Sequence, residues 1–414
     1  MRILVISNLY PPHSIGGYEE RCRQTSEVLR ARGHELCVLT SHHGLPAPAV
    51  DEQGVRRLLR IHGFFGHPWL GLRQLYALEK HNHAAVRAAV AEFRPDIIHV
   101  WNLGGLNKAL ILTLHNLGVP TVYDISDHWI AQSLKADVWL RWWNGLNRSA
   151  AATAVGKVLK ILGAKRWLAR SAPFARWDEI TFPRIYFCSD RLKQIAIGTG
   201  WPVQHGAVIH CGVRTAAFTK RTPSDRFSKM LWVGRLHDDK DPLTAIRALG
   251  RLADAGHDGL TLDLYGRGDD DYVAQLKAAV AELRLTERVA FKSTDAAGMR
   301  RVYADYDALL FTSAWEEPFA LTPLEGMAAH LPVVSTLLGG SRELVRDGEN
   351  ALAYEARDDA GLADAIARLA ADSALRRSLV ETAAREVVER YDLEVVVSQI
   401  EAYLQATRDG HGAA

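Results

Sequence analysis

The sequence contains little cysteine and no long apolar run. Only four of its 414 residues are cysteines, and no two of them form a C-x-x-C pair. This pattern supports neither a zinc site nor a disulfide framework, and a reducing compartment fits it best. No stretch reaches the roughly 18 apolar residues of a membrane-spanning helix, and the N-terminus lacks the pattern of a signal peptide. We therefore expect a cytoplasmic protein that does not span a membrane.

A charge excess of either sign and the dinucleotide-binding fingerprint are also missing. Lys and Arg number 50 against 48 Asp and Glu, a formal net charge of +2, which argues against a general nucleic-acid-binding protein. The loop at residues 11–17 contains no G-x-G-x-x-G, so the sequence does not support a Rossmann oxidoreductase. Gly16 and Gly17 in this loop still allow the backbone to approach a ligand, or they make only a tight turn into a helix.

Short apolar segments alternate with helical patterns along most of the chain. The first of them, RILVIS at residues 2–7, is a continuous apolar run of the kind found in a buried parallel strand. Alternating strands and helices predict β-α-β units wound into a parallel α/β sheet. Because 414 residues are too many for one ordinary core, we expect two Rossmann-like α/β domains.

Changes in composition suggest where these domains begin and end. The predicted N-terminal domain covers residues 1–218, and the predicted C-terminal domain covers residues 229–385. The polar, proline-containing segment at residues 219–228 is the predicted linker between them. Residues 386–414 carry helical patterns, and we expect this segment to cross back to the N-terminal domain.

A basic, tryptophan-rich segment interrupts the first domain at residues 129–177. It contains six tryptophans and nine Lys or Arg residues, with Asp137 as its only acid. Basic residues interleaved with tryptophan at amphipathic spacing can bind the interface of an anionic membrane. Alternatively, the segment forms a helical lid whose tryptophans pack inward or hold a sugar. Composition alone leaves both interpretations open.

The stretch at residues 308–340 predicts a β-α-β unit with acidic groups at the carboxyl end of its first strand. Open α/β sheets bind ligands at that edge. Glu317 follows the strand among apolar residues, where an unpaired carboxylate is costly unless something binds it. Glu325 lies eight residues later, on a predicted short helix whose N-terminus could face an anion. Thr322 and Glu325 also match a capping box, which would explain Glu325 without a ligand.

Two cations follow an apolar strand at the start of the second domain. Arg235 and Lys240 lie in the stretch VGRLHDDK, just after the predicted strand at residues 229–233. A guanidinium and an ammonium at a strand end can each pair with a different phosphate, which suits a diphosphate. Taken alone, such residues are more often solvated, but the acidic pair at residues 308–340 is expected to open on the same edge.

Together these motifs resemble the retaining glycosyltransferases of family four, which have the two-domain GT-B fold. The resemblance rests on VGRLHDDK, SAWEEPFALTPLEGMAAHLPVVST and LGGSRELVRDGENAL, and it extends over nearly the whole chain. It implies two Rossmann-like α/β domains that face each other across a cleft, with the donor site mainly in the second domain. The catalytic residues it implies are Arg235 and Lys240 on the donor diphosphate and Glu317 on the transferred sugar, with Glu325 binding the ribose.

The same resemblance implies the remaining site residues. The further donor-binding residues are Gly16, Gly17, Phe319, Ala320 and Leu321. On the acceptor side, many relatives carry a histidine near the transferred sugar where this chain has Ser126. We expect that Asp127 or His128 has taken over, or that the acceptor side is arranged differently.

No metal ion or other cofactor is expected. The resemblance implies that cations and a helix end neutralise the donor phosphates, and no Asp/His cluster in the sequence has convincing metal-ligand spacing. A retaining transfer in this fold is usually described as a front-face displacement in which the leaving phosphate helps to deprotonate the acceptor hydroxyl. The protein then contributes mainly leaving-group stabilisation and positioning.

The expected function is transfer of a hexose-type sugar, with retention, from a nucleotide diphosphate sugar to an acceptor hydroxyl. A lipid-linked molecule or another glycan is the expected acceptor, and contact of residues 129–177 with an anionic membrane would place the protein at its inner face. One alternative is a nucleotide-sugar epimerase or a sucrose-synthase-like enzyme on the same fold. Another is a non-catalytic sugar-binding protein or membrane adaptor. The expected partners include no nucleic acid, and the sequence predicts no oligomeric state.

Overall fold

Two parallel sheets organise the chain, and each lies in its own unit. The computed structural model describes residues 1–13, 16–43, 54–62, 70–132, 137–144 and 150–411. The first unit comprises Met1–Ile209 and Val397–Ala414, and the second comprises His210–Val396. Both sheets consist of parallel strands separated by helices, so the predicted α/β fold is confirmed.

The sheet of the first unit has seven strands in the order β3-β2-β1-β4-β5-β6-β7. The continuous apolar runs become its central strands because both faces of a parallel sheet are covered. All six residues of β4, for example, are buried. The strands are β1 (Arg2–Ser7), β2 (Glu35–Ser41), β3 (Val55–Leu59), β4 (Ile97–Asn102), β5 (Thr121–Ile125), β6 (Ile185–Phe187) and β7 (Ala207–Val208).

Helices lie between most of the described strands of the first unit. Since β1 lies between β2 and β4, the strand order reverses there, and ligand sites of α/β sheets are found beside such a reversal. The helices are α1 (Gly17–Ala31), α2 (Leu72–Phe93), α3 (Leu110–Asn116), α4 (Val138–Asn144), α5 (Ala150–Ile161), α6 (Ala164–Ser171) and α7 (Asp190–Gly198).

The sheet of the second unit has six strands in the order β10-β9-β8-β11-β12-β13. Its order reverses between β8 and β11, which are hydrogen-bonded neighbours although many residues separate them in sequence. The strands are β8 (Lys229–Val233), β9 (Thr261–Tyr265), β10 (Val289–Lys292), β11 (Ala308–Phe311), β12 (Val333–Thr336) and β13 (Leu352–Tyr354).

The second unit's helices cover a core formed by side chains of the central strands. Met230 and Trp232 of β8 pack in it with Leu310 of β11. The helices are α8 (Pro242–Asp254), α9 (Asp270–Glu282), α10 (Ala296–Val302), α11 (Leu321–Ala328), α12 (Ser341–Leu344), α13 (Asp359–Ala371), α14 (Ser373–Tyr391) and the first residues of α15 (Leu393–His411).

The segment predicted as a linker, residues 219–228, lies inside the second unit. The guanidinium of Arg221 pairs with Asp307 at 2.7 Å, and buried Arg376 donates to the carbonyl of Asp225 at 2.8 Å. These contacts tie the polar segment to the rest of that unit. The chain crosses from the first unit to the second at Ile209/His210, before this segment begins.

Helix α15 carries the chain out of the second unit and into the first, where Val397–Ala414 belong. Its Glu401 lies 2.8 Å from a guanidinium nitrogen of Arg32 and 2.7 Å from the ring of His34. The hydroxyl of Tyr403 donates to the carbonyl of Ile185 in β6 at 3.0 Å. Helix α15 is therefore packed against elements of the first unit.

Candidate functional site

The carboxyl ends of β8 and β11 bring together the cations and carboxylates that the sequence singled out in the second unit. After β8 the chain forms a short 3-10 helix, Asp238–Lys240, before α8 begins. After β11 it forms a loop that leads to α11. Ala314 of this loop donates its N–H to the carbonyl of Asp239 at 2.9 Å, and Thr312 donates its hydroxyl to the carbonyl of Lys240 at 2.8 Å. The two segments therefore form one surface.

Lys240 and Glu317 form an ion pair at this surface. The carboxylate of Glu317 also accepts a hydrogen bond from the hydroxyl of Ser313 at 2.8 Å, and the Lys240 ammonium lies 5.2 Å from the ring centre of Trp315. The side chains of Lys240 and Glu317 are only 18% and 13% exposed. Lys240 therefore compensates the Glu317 carboxylate in the absence of a ligand.

Arg235 projects into solvent beside a cavity of the second unit. Its side chain is 57% exposed, and a guanidinium nitrogen lies 3.2 Å from Asp239. It borders a pocket of about 310 Å³ that opens between the ends of β8 and β9 and the start of α10. The other side chains with polar groups that line this pocket are Tyr265, Arg267, Ser293, Thr294 and Asp295.

Sequence reasoning missed this pocket, although a signal for it was present. Strand β9 is followed by Gly266-Arg267-Gly268, a glycine pattern directly after an apolar run. A Cβ at Gly266 would lie 1.9 Å from the carbonyl oxygen of Gly234, and one at Gly268 would lie 2.0 Å from that of Leu236. Only glycine permits this close approach of the two segments, which places Arg267 beside the pocket.

A pair of glycines holds the loop that carries Glu317. Gly339 has a φ of +63°, and a Cβ there would lie 2.2 Å from the carbonyl oxygen of Glu317. A Cβ on Gly340 would lie 2.3 Å from the carbonyl oxygen of Pro318. The Gly340 N–H also donates to the backbone carbonyl of Glu317 at 2.7 Å. The backbone after β12 therefore supports the loop after β11 at the point where the carboxylate projects.

Glu325 does not form the predicted capping box. Helix α11 begins at Leu321 with Ala320 as its N-cap, so Thr322 already lies within the first turn and Glu325 lies beyond it. The Glu325 carboxylate instead accepts a hydrogen bond from the hydroxyl of Tyr303 at 2.7 Å. Burial raises the pKa of Glu325, although this hydrogen bond and the charge of a nearby arginine act against the rise. The capping interpretation is wrong, since the helix starts earlier than expected.

The three residues at the start of α11 shape its N-terminal end. Phe319 is buried and packs at ring-centre distances of 5.1 Å from His210 and 5.8 Å from Tyr391. Ala320 is buried, and its methyl group offers no oxygen to the first N–H groups of the helix. Leu321 is half-buried as the first helical residue. These N–H groups remain available to an anion.

Gly16 and Gly17 lie at the start of α1 in the first unit. Gly16 is the N-cap, and its N–H donates to the carboxylate of Glu19 at 3.2 Å. A Cβ at Gly16 would meet no atom within 4 Å. The glycines therefore make an open turn into the helix beside the carboxyl end of β1, where the strand order reverses.

Ser126 is held by a buried ion pair that sequence reasoning missed. Arg21 of α1 pairs with Asp124 of β5 at 2.9 Å, and both side chains are almost fully buried. The Ser126 hydroxyl donates to Asp124 and accepts from Arg21. An arginine on the buried face of a helix and an acid at the end of a strand were the available signal. Both hydrogen-bonding roles of this hydroxyl are satisfied by protein groups.

Asp127 and His128 follow directly after Ser126 in the sequence. The Asp127 carboxylate is half-buried and accepts the backbone N–H of His128 at 2.6 Å. The side chain of His128 is buried. Asp127 therefore presents more surface than His128 at the carboxyl end of β5.

Neither a metal site nor a membrane span is found within the part of the chain that the structure describes. No group of three or more His, Cys, Asp or Glu side chains there could hold a metal ion. No described helix is both long and apolar enough to cross a membrane.

Comparison with known proteins agrees with the motifs at both sheet edges. The model of the "Glycosyl transferase 4-like domain" matches residues 16–156, and that of "Glycosyl transferases group 1" matches residues 213–386. A phosphatidyl-myo-inositol mannosyltransferase of Mycobacterium leprae is 35% identical over 93% of this chain and 91% of its own length. The chain belongs to the group 1 glycosyltransferases, family four. Glycogen synthase of Mycobacterium tuberculosis is 28% identical over 99% of this chain and 95% of its own.

Solved structures show that this glycosyltransferase has the GT-B fold. Sucrose-phosphate synthase of Thermosynechococcus elongatus has a TM-score of 0.70 at 19% identity, and each chain is covered completely. HepE of Anabaena, solved with UDP, has a TM-score of 0.69 at 21% identity and covers 98% of this chain and 100% of its own. The predicted fold and family are both confirmed. The enzyme transfers sugar from a nucleotide sugar, as members of this retaining family do.

Proposed function

We propose that this glycosyltransferase moves a hexose-type sugar, with retention, from a nucleotide diphosphate sugar to an acceptor hydroxyl. The observation that carries the proposal is the ion pair of Lys240 with Glu317 beside exposed Arg235 at the carboxyl ends of β8 and β11. In this proposal the second unit is the donor domain and the first unit the acceptor domain.

The donor diphosphate is bound by two cations and one helix end. Arg235 pairs with one phosphate. Lys240 leaves Glu317 and pairs with the other phosphate. The uncapped N-terminus of α11 adds N–H donors and the positive end of its dipole. Once Lys240 has moved, Glu317 accepts hydrogen bonds from hydroxyls of the transferred sugar. The charge of the leaving diphosphate is thereby balanced by protein groups, and we propose that no metal is needed.

The nucleoside occupies the surroundings of Arg235. The 310 Å³ pocket beside it offers Tyr265 and Thr294 to a base. The Glu325 carboxylate, held by Tyr303 at 2.7 Å, accepts hydrogen bonds from the ribose hydroxyls. A nucleoside diphosphate is the matching ligand class, and the UDP bound by the similar HepE makes UDP the first candidate.

On the acceptor side we propose that Asp127 contacts the incoming hydroxyl. Its carboxylate is half-buried, whereas the Ser126 hydroxyl is already engaged by Arg21 and Asp124. In the transfer, the bond from the sugar C1 to the diphosphate oxygen breaks and a bond from C1 to the acceptor oxygen forms. The acceptor proton passes to the leaving phosphate, so the protein supplies mainly positioning and charge stabilisation.

The acceptor is proposed to be a lipid-linked molecule or another glycan. The similar mannosyltransferase of Mycobacterium leprae is named for phosphatidyl-myo-inositol, a lipid acceptor. Contact of residues 129–177 with an anionic membrane at its inner face would place the active site near such a substrate.

The donor assignment is tested by thermal unfolding of the full chain with UDP, GDP and ADP and their sugars. A ligand at 100 times its Kd should add about 2.7 kcal/mol to the free energy of unfolding. Arg235→Ala should abolish most of the effect of the nucleotide that stabilises wild type. Arg247→Ala changes an exposed arginine on α8 of the same unit and is the matched control.

Two outcomes would remove the donor site as assigned. In one, none of the nucleotides raises the unfolding temperature. In the other, Arg235→Ala responds to the nucleotide as strongly as wild type does. Product analysis then separates the alternative enzymes, because an epimerase converts the donor sugar without an acceptor. Glu317→Ala should lose turnover, since this carboxylate is proposed to contact the transferred sugar.

A further inference from the structure

Two consecutive helices of the first unit carry a concentration of exposed apolar side chains. On α5, α6 and the turn between them, Ile161 is 84% exposed, Leu162 72% and Trp167 63%, and Val155 and Val158 are about half exposed. Elsewhere in the described residues, exposed large apolar side chains occur singly, at Leu58, Leu283 and Val388. Scattered apolar residues need no explanation, but five exposed apolar side chains within residues 155–167 indicate an interaction surface.

The tryptophans of the segment mostly do not form this surface. Trp129 and Trp139 are buried, and Trp143 stacks on Phe174 at a ring-centre distance of 4.2 Å. For these three residues the expectation that the tryptophans pack inward holds. Trp167 is the exposed member among the tryptophans whose side chains are described, and it lies on α6.

The helices are anchored by their other face. Leu168 is buried, and the guanidinium of Arg87 on α2 donates to the carbonyl of Ser171 at 3.1 Å. Tyr76 of α2 lies 5.9 Å from the Trp167 ring, on the side toward the unit. These contacts hold α6 on α2, so the turn at residues 161–163 points its apolar side chains into solvent.

Charge decides what this surface fits. Residues 138–177 contain eight Lys or Arg and no Asp or Glu. Among them Lys157, Arg166 and Arg170 are exposed on the same two helices. An apolar tip flanked by cations complements an anionic lipid surface, where apolar side chains enter the acyl boundary and cations meet the headgroups. A second copy of this surface would bring like charges together.

We propose that the turn between α5 and α6 inserts Ile161, Leu162 and Trp167 into an anionic membrane, with Lys157 and Arg166 at the phosphates. This assigns the contact within residues 129–177 to one helix pair instead of to the tryptophans in general. The benefit of this membrane contact for the enzyme rests on the proposed lipid-linked acceptor. Binding of the α5–α6 turn to the membrane does not.

The test is flotation of the full chain with vesicles of phosphatidylcholine alone or with 30% phosphatidylglycerol, a proportion on the order of that in anionic membranes. Wild type should float with the anionic vesicles only, and added salt should weaken its binding. Ile161→Ser with Leu162→Ser should bind at least about tenfold more weakly, because two apolar side chains no longer insert. Lys157→Glu with Arg166→Glu should lose at least about fivefold for each reversed cation.

Matched controls separate the surface from general effects. Val388→Ser removes an exposed apolar side chain of the second unit, and Arg226→Glu reverses an exposed cation there. Both should float as wild type does. The proposal is overturned if wild type stays unbound at low salt, if the α5–α6 variants float like wild type, or if the controls lose as much.

Two further measurements distinguish membrane binding from nucleotide binding at the donor site and from self-association. The nucleotide-dependent shift in unfolding temperature should be the same in wild type and in the α5–α6 variants, so failure of one proposal leaves the other standing. Light scattering without vesicles should show wild type and Ile161→Ser with Leu162→Ser at equal mass. A dimer that only wild type forms would make the surface a contact between copies and sink the lipid proposal.

Discussion

At the scale of single residues, the ion pair of Lys240 and Glu317 explains how charged groups persist in a mostly buried place. Each is compensated by the other, and Ser313 donates a further hydrogen bond to the carboxylate at 2.8 Å. A charge that loses its only partner in such surroundings is strongly unfavourable. Loss of one partner would therefore destabilise the fold, and the pair holds both groups where the proposed donor would need them.

Removing either charge should therefore affect both stability and turnover. We predict that Lys240→Met and Glu317→Gln each lower the free energy of unfolding by about 1–3 kcal/mol, since each leaves a charge without its partner. Each should lower kcat by at least about 100-fold through lost charge stabilisation and positioning. Urea unfolding and sugar-transfer assays measure the two effects.

The double variant provides the internal control. Lys240→Met with Glu317→Gln should cost less stability than the sum of the single changes, because no unpaired charge remains. Arg251→Met breaks an exposed pair with Asp359 in the same unit and should leave kcat and stability unchanged. Additive losses would show that the two side chains are not coupled.

Glu325 should make the free energy of unfolding depend measurably on pH. Burial raises the pKa of Glu325, so between its unfolded and folded values the native protein binds more protons than the unfolded chain. This group therefore lowers the free energy of unfolding as the pH rises through that window. We predict that the stability of Glu325→Gln relative to wild type increases from about pH 4 upward and then levels off.

Urea unfolding at a series of pH values measures this difference. Tyr303→Phe, with Glu325 kept, should make the free energy of unfolding depend more strongly on pH. The reason is that the hydrogen bond from the Tyr303 hydroxyl acts against the rise in the pKa of Glu325. A stability difference between Glu325→Gln and wild type that is the same at every pH would contradict the prediction.

At the scale of elements, the site depends on loops whose backbones touch. The loop after β12 lies against the loop after β11 because Gly339 and Gly340 have no side chains. The α1 helix is joined to β5 by the buried pair of Arg21 and Asp124. In both cases the position of a candidate site residue is determined by a neighbouring element and not by its own segment.

The glycine contact can be tested with a pair of matched substitutions. Gly348 has a φ of +73° and open space where a Cβ would lie. Gly348→Ala should therefore lower the free energy of unfolding by about 1–2 kcal/mol from backbone strain alone. Gly339→Ala adds a Cβ that would lie 2.2 Å from the carbonyl oxygen of Glu317, so it should cost about 3 kcal/mol or more.

Activity distinguishes the two glycine variants further. Gly339→Ala should lower kcat because the Glu317 loop must shift, whereas Gly348→Ala should keep it. The measurements are urea unfolding and sugar transfer at a temperature where both variants are folded. Equal stability and equal kcat in the two variants would refute the proposed support.

At the scale of the whole molecule, the chain leaves the first unit at Ile209 and returns to it at Val397. Helix α15 then buries Ile400 and Leu404, and Glu401 meets Arg32 and His34. A unit assembled from both ends of the chain needs its last segment to complete its core. The second unit is continuous in sequence and has no such requirement.

Truncation after Val396 should therefore weaken the first unit selectively. Loss of two fully buried side chains alone removes about 3–6 kcal/mol of stabilisation. We predict that backbone amides of β2 and β6 lose protection in hydrogen exchange, whereas those of β8 and β11 keep theirs. Truncation after Arg408 leaves the buried side chains of Ile400 and Leu404 in place and serves as the control. Equal loss of protection in both sheets would contradict the prediction.

Much of the architecture and the family could be predicted from local patterns. The apolar composition of runs such as residues 2–7 and 308–311 predicts that they are buried. Their alternation with helical segments predicts parallel strands. The motif around Glu317 and Glu325, in combination with VGRLHDDK and LGGSRELVRDGENAL, indicated a family-four glycosyltransferase. These features depend on residues that are near one another in sequence, where side-chain periodicity reports the environment directly.

Pairings between distant residues depended on the tertiary structure. Lys240 meets Glu317 because β8 and β11 are neighbours in the sheet, and Arg21 meets Asp124 because α1 packs beside β5. The helix that carries Glu325 also begins earlier than its capping pattern predicts.

By itself, the sequence determined that this protein is a two-domain α/β glycosyltransferase with cations and carboxylates at strand ends. The tertiary structure decided which of those charges compensate one another and that Tyr303, not a helix cap, holds Glu325. It also decided that Ile161 and Leu162, more than most of the tryptophans, face solvent. The physical reason is that burial and helix periodicity are local properties, whereas ion pairing and exposure depend on the order in which strands and helices pack.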